Sequence, residues 1–235
     1  MTLTSLIQIT WRKYDKSVDY PTAGSDDYNL ILGYINDAIQ SWSGQAHEDN
    51  IKWRELFANL SSASSGTKTT TNGTASYLCP DNFVEMSSFV KITDTTGNSL
   101  YYSHIDPDDV MANLKNDSSA RIYWLTRNST TGKWYINISP TPTTTGDTIE
   151  YSYYKTPTEL SLGTDIIEMG KPYFAVYHAL TALFEEERPD LANVYSQKAV
   201  SVMNAMITDN EVPPHNQSFK LRDIANEMTG DVFGK

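Results

Sequence analysis

The 235-residue sequence predicts an α+β protein: a helical bundle core, made of N-terminal helices and a C-terminal αα-hairpin, carrying an inserted antiparallel β domain. Three observations predict it. Apolar residues recur at helical spacing before residue 60 and again between 161 and 210, whereas residues 76–154 alternate with period two. Between the first helical stretch and the alternating one lies SSASSGTKTTTNGTAS, residues 61–76, with neither periodicity. The expected divisions are therefore 1–60, 61–160, 161–210 and a tail over 211–235.

In the first division, Leu3, Leu6, Ile7, Thr10 and Tyr14 share one face, which predicts a helix over 2–18 that stops before Pro21. Gly24 and Ser25 open a second helix, with Asp26 and Asp27 at its positive end and Tyr28, Ile31, Leu32, Ile35, Ile39 and Trp42 as its stripe; Gly44 is its expected stop. Ile51, Trp53, Leu56, Phe57 and Leu60 predict a third, shorter helix over 48–59.

Strand-like runs follow at 76–78, 83–92, 99–104, 120–126, 132–139 and 147–154, and Asp106-Pro107-Asp108-Asp109 opens a short helix to Leu114. The stretch WYINISPTPTTTGDTIEYSYYKTP places two alternating aromatic runs around a Pro, Thr and Gly segment, which predicts an antiparallel hairpin closed by that loop. Residues 167–187 and 189–208 carry the two helices of the αα-hairpin, turned at Arg188-Pro189-Asp190. Beyond Asn210 the apolar residues Phe219, Leu221, Ile224, Met228 and Phe233 are scattered without a stripe, so an extended tail that orders on a partner is expected.

Composition narrows the function classes. With 39% hydrophobic residues the chain has enough for a sizeable core. A formal charge of −11 disfavours neutralising a phosphate backbone, so sequence-specific DNA binding is not expected. The single Cys79 forms no internal disulfide and suits a reducing compartment. No run is apolar enough for a membrane span, and Met1 to Ser17 lacks a basic region followed by an apolar one, so neither membrane insertion nor a signal peptide is expected.

Motifs that carry chemistry are missing from the sequence. Gly-x-Ser-x-Gly, His-Glu-x-x-His, the phosphate-binding Gly-x-x-x-x-Gly-Lys-Ser/Thr and Gly-x-Gly-x-x-Gly do not occur. Asp106, Asp108 and Asp109 read as helix-start carboxylates rather than calcium ligands, because the glycine and distal glutamate of a calcium loop are lacking. No catalytic residue, cofactor or metal is therefore expected. Glu185, Glu186 and Glu187 sit at the end of a helix that disfavours negative charge, which makes them either a tolerated surface or an acidic rim. Tyr101, Tyr102, Trp124, Trp134, Tyr151, Tyr153 and Tyr154 belong to core or inter-subunit packing, or stack on sugars.

The order of elements, the stretch Tyr77-Leu78-Cys79-Pro80-Asp81-Asn82-Phe83, the Ile138-Ser139-Pro140-Thr141-Pro142 segment leading to Tyr153-Tyr154-Lys155-Thr156-Pro157, and the closing Tyr177-His178-Ala179-Leu180 and Ala192-Asn193-Val194-Tyr195 patterns resemble the head-to-tail adaptor proteins of tailed bacteriophages. The resemblance covers residues 1–210. It implies a structural virion protein of the neck, present in the host cytoplasm before assembly. It further implies a ring, commonly dodecameric, beneath the portal, which joins it to stopper, nozzle or tail proteins and leaves a channel for double-stranded DNA without binding it specifically. On that basis Trp134, Tyr135, Tyr151, Tyr153 and Tyr154 are candidates for the ring interface, Glu185, Glu186 and Glu187 for the channel wall, and Phe219, Leu221, Ile224, Met228 and Phe233 for docking on the portal. The alternative, raised by the Thr, Ser, Asn and aromatic content of 61–157, is a carbohydrate- or receptor-binding β module of a phage tail or surface protein; a hydrolase comes third.

Overall fold

The computed structural model describes residues 1–48, 51–60, 68–87, 89–117 and 119–211. They are α+β and fall into two compact units, one of residues 1–55 with those from 157 onward, the other of residues 56–156. The expected tail, with its portal-docking candidates, lies outside the described residues, as do residues 61–67 of the Ser-rich stretch.

In the helical unit, α1 (Leu3–Tyr14) starts at Thr2, whose side chain accepts the Ser5 N–H. It ends short of the expected residue 18 because Lys16 takes a left-handed backbone, φ 60°. Helix α2 (Asp26–Glu48) begins as expected, with the Ser25 hydroxyl accepting the Tyr28 N–H at 3.3 Å. It runs through Gly44, which is not among the positive-φ glycines; a glycine stops a helix by turning left-handed, and this one does not.

The helix expected over 48–59 does not form. A 3-10 turn at Arg54–Leu56 leads into strand β1 (Phe57–Leu60), because Phe57 to Leu60 pair with a strand a hundred residues on, and that pairing overrides local periodicity. Helix α4 (Tyr173–Phe184) starts later than the expected 167, since Ile167 donates its N–H to Met1 and stays extended. Helix α5 (Pro189–Glu211) opens with Pro at its first position. The αα-hairpin is joined by stacked rings, Phe184 on Tyr195 at 5.8 Å and 8° and Tyr177 on Tyr195 at 6.1 Å. Helices α1 and α2 also pack on α4. Asn36 straps the loop before α4: its amide donates to the Leu160 carbonyl and accepts the Leu160 N–H, both at 3.0 Å.

The other unit is one curled mixed sheet. Its further strands are β2 (Lys68–Thr69), β3 (Ser76–Leu78), β4 (Phe83–Met86), β5 (Val90–Thr93), β6 (Ser99–His104), β7 (Ile122–Arg127), β8 (Trp134–Ser139) and β9 (Thr148–Lys155), in the order β1-β9-β5-β6-β7-β8-β3. Strand β9 is the axis. It takes β1 and then β2 on one edge, and β4 and then β5 on the other. The segment through β2 and β3 pairs first with β9 and then with β8, so the sheet closes on itself.

Two expectations are corrected here. Strands β8 and β9 are not a hairpin: β8 pairs with β7 and β3, and the Pro-Thr segment carries the chain across to β9. Nor is the sheet wholly antiparallel, because β6 and β7 run parallel; the helical crossover between them, a 3-10 turn at Pro107–Asp109 and α3 (Val110–Asn116), is long enough to return the chain in the same direction. The interior is filled by Leu60, Cys79, Phe83, Val90, Ile92, Tyr102, Tyr123, Ile136, Ile138, Ile149, Tyr151 and Tyr153.

Candidate interaction surface

Alternation along the strands sends one set of side chains into this core and the other outward. On the face made by β1, β9, β5 and β6, the outward set ends in aromatic rings. Phe57 lies opposite Tyr154 in register and meets its ring edge-on at 5.6 Å. Phe89, just before β5, meets Tyr101 of β6 edge-on at 5.1 Å. Phe89 and Tyr101 are each 53% exposed and Phe57 43%, so large apolar area faces outward at two places on one sheet face.

Beside the ring pairs the face is polar and internally matched. The Lys91 ammonium lies 2.7 Å from Glu150, its register partner on β9, and that hydrogen bond raises the lysine pKa. Thr93 donates to the same carboxylate at 3.3 Å, and Ser152 donates to Asn59 at 2.6 Å. A face with its charges paired internally and aromatic rings beside them resembles the make-up of protein interfaces, where charge is depleted and aromatics are enriched.

The candidates named from sequence separate on this frame. Tyr151 and Tyr153 point inward and are buried in their own chain's core, so a neighbouring subunit cannot reach them. Trp134 packs partly on that core, with the Arg127 guanidinium 5.8 Å from its ring centroid. Tyr154 stands on the aromatic face, and Tyr135 is half-buried on the outward side of β8. Phe57 and Phe89 were missed, the first because it reads as a helix residue and the second because 83–92 reads as one strand. The break after Met86, at Ser87-Ser88, is the signal that separates Phe89 from β4.

Glu185, Glu186 and Glu187 are exposed at the turn after α4. The Tyr14 hydroxyl pKa is raised, first by desolvation and then by the nearby Glu187 carboxylate. Elsewhere in the helical unit, α2, α4 and α5 enclose a groove of about 520 Å³ floored by Phe174 and Met203. His178 lines it with a buried Nδ1 that has no hydrogen-bond partner in the described structure, and burial lowers its pKa. Among the described residues no group of three or more His, Cys, Asp or Glu is placed to hold a metal ion, and no helix is long and apolar enough to cross a membrane.

The described residues form an α+β chain whose sheet carries aromatic rings on its outer face. The family model for SU10 adaptor proteins matches residues 1–218, and the chain belongs to that family. No curated protein matches it.

Proposed function

We propose that this chain is a bacteriophage head-to-tail adaptor that assembles as a dodecameric ring beneath the portal, joins it to the tail or stopper protein below, and lines a passage for double-stranded DNA. The observation that carries this reading is the family match, which spans nearly the whole chain. The exposed pairs Phe57–Tyr154 and Phe89–Tyr101 support side-by-side assembly, since a head-to-tail contact between copies closes into a ring when its rotation closes. Tyr135 and Trp134, on β8, are further candidates for contact between copies. Glu185, Glu186 and Glu187 belong to the channel wall, where negative charge repels DNA and keeps it from sticking. Phe219, Leu221, Ile224, Met228 and Phe233 dock on the portal.

Negative-stain imaging of the purified chain, alone and with the portal protein of the same phage, tests this. Rings, or an added layer on the portal, are expected; bare portals and monomers under both conditions overturn it. The double variant Phe89→Ser with Tyr101→Ser should keep its thermal unfolding temperature and lose the layer, because both rings are half exposed and contribute little to the fold.

A further inference from the structure

The wall of the curled sheet has a gap the width of one strand. Among the described residues, strand β4 pairs with β9 alone, and β7 has β6 beside it only at Ile122 and Tyr123; from Trp124 to Arg127 its described partner is β8 alone. The last bond from the β6 side is the Ile105 N–H to the Tyr123 carbonyl, after which the chain departs into the helical crossover. Two residues on, the backbone groups of Leu125 point to that same side. Across the gap, Ser87 donates its N–H to Ser152 and Glu85 pairs with Tyr154, so the backbone groups of Met86 point away from β9, towards β7. Two strand edges therefore face each other, with a cleft of about 540 Å³ lined by Glu85, Met86, Ser103, His104, Tyr123 and Leu125 between them. Its floor is apolar: Met86 and Leu125, partly buried on the inward side of their strands, pack against the core, and Tyr123 belongs to it.

Such a gap takes an extended segment, whose backbone completes both edges while alternate side chains cover the floor. We propose that its occupant is residues 218–222 of a neighbouring copy of this chain, Ser-Phe-Lys-Leu-Arg, added as a strand between β4 and β7. In that segment apolar Phe219 and Leu221 alternate with basic Lys220 and Arg222. Set into the gap, Phe219 and Leu221 cover Met86 and Leu125 while the two cations face outward beside Glu85, which gives charge complementarity across the strand pair. From Glu211, where α5 ends, to Ser218 the extended chain spans roughly 25 Å, so the segment reaches the gap of a neighbouring copy that lies within that distance. The inference rests on the adaptor reading above, and it narrows it: Phe219 and Leu221 hold copies to one another, leaving Ile224, Met228 and Phe233 for the portal.

Disulfide trapping in the full chain tests it. Leu125→Cys in one preparation is mixed with Leu221→Cys in another, under the conditions that give a layer on the portal. Expected is a disulfide-linked dimer on a non-reducing gel, with roughly tenfold more product than from Lys133→Cys mixed with Leu221→Cys, since only cysteines whose Cα atoms approach within about 7 Å bridge readily. With both substitutions in one chain, a ladder of multimers is expected. A product that stays monomeric but loses its thiols places the segment in its own chain and overturns the inter-copy assignment. Imaging the same samples separates the remaining outcomes. A layer on the portal with no cross-link above the control overturns the strand and leaves the adaptor standing; no layer at all overturns the adaptor, and the strand with it.

Discussion

The two units are specified over different distances. In the helical unit each element follows from residues three and four apart, and the stripe of Ile31, Ile35, Ile39 and Trp42 is buried as its spacing requires. In the sheet, β9 draws its partners from residues 57–60, 68–69, 83–86 and 90–93, so what lies beside each strand is set by segments far away. Local patterning builds the first unit and non-local pairing the second. The second is accordingly the one left with edges, and with a face and a gap that suit partners.

The largest effect that sharpens this contrast comes from removing one large side chain in each core. Trp53 is buried, its indole N–H donates to the Trp42 carbonyl at 2.9 Å and its ring lies 5.4 Å from that of Trp42. Trp53→Ala should cost about 3–5 kcal/mol, and Ile136→Ala, at the centre of the sheet interior, about 2–4 kcal/mol. Followed by urea denaturation, Trp53→Ala is expected to shift the unfolding of the helical signal and Ile136→Ala that of the strand signal. One transition moved equally by both would erase the division between the units.

A smaller effect probes how the helical unit holds its irregular segment. Asn36 satisfies both backbone groups of Leu160, and Leu160 is itself buried. Asn36→Ala leaves an N–H and a carbonyl without their partner, at a cost of about 1–3 kcal/mol. Asn36→Asp keeps the acceptor and should fall between the two in midpoint.

Sequence reading recovered the helices and most strand positions, and missed what depends on partners. Ser25 as a cap was legible because capping is local chemistry, whereas Pro189, read as part of the turn, opens α5. Phe57 was not: Leu56, Phe57 and Leu60 fit helical spacing, and only Tyr154, distant in sequence, turns that stretch into a strand. The aromatic run around the Pro-Thr segment gave two true strands and a false hairpin, since alternation identifies a strand without naming its neighbour. Of the five aromatics proposed for the interface, parity along β9 decides the fate of three: Tyr151 and Tyr153 face in and Tyr154 faces out. Which parity is inward is fixed by the core and is not written in the alternation itself.

The helical unit also carries a buried histidine imidazole, which the described sheet core lacks. His178 lines the groove, with Asp37 of α2 acting on it electrostatically and Glu185 on the groove rim. Burial lowers its pKa below the ordinary 6.5, and the Asp37 charge opposes that shift. The unfolded chain then binds the proton more readily than the folded one. The stability His178 contributes is full above pH 6.5 and is lost as pH falls through the depressed folded value. His178→Gln should flatten the decline in unfolding midpoint of the helical signal between pH 6.5 and acid, and leave the strand signal unchanged.

The smallest expected effect has the opposite sign. In the sheet core the Tyr151 hydroxyl is buried without a hydrogen bond of good geometry, next to the Cys79 thiol, and burial raises the pKa of both groups, the thiol to about 12. Tyr153, two residues on, donates to Asn82 at 3.3 Å. A buried hydroxyl without a partner costs desolvation and returns nothing, so Tyr151→Phe should be neutral or stabilise by up to about 1 kcal/mol, whereas Tyr153→Phe gives up a hydrogen bond and should destabilise by about 0.5–1.5 kcal/mol. Midpoints of the two variants that move together would mean that Tyr151 has a partner in solution. Midpoints that diverge would show that this core is held by apolar packing, with its polar atoms tolerated rather than used.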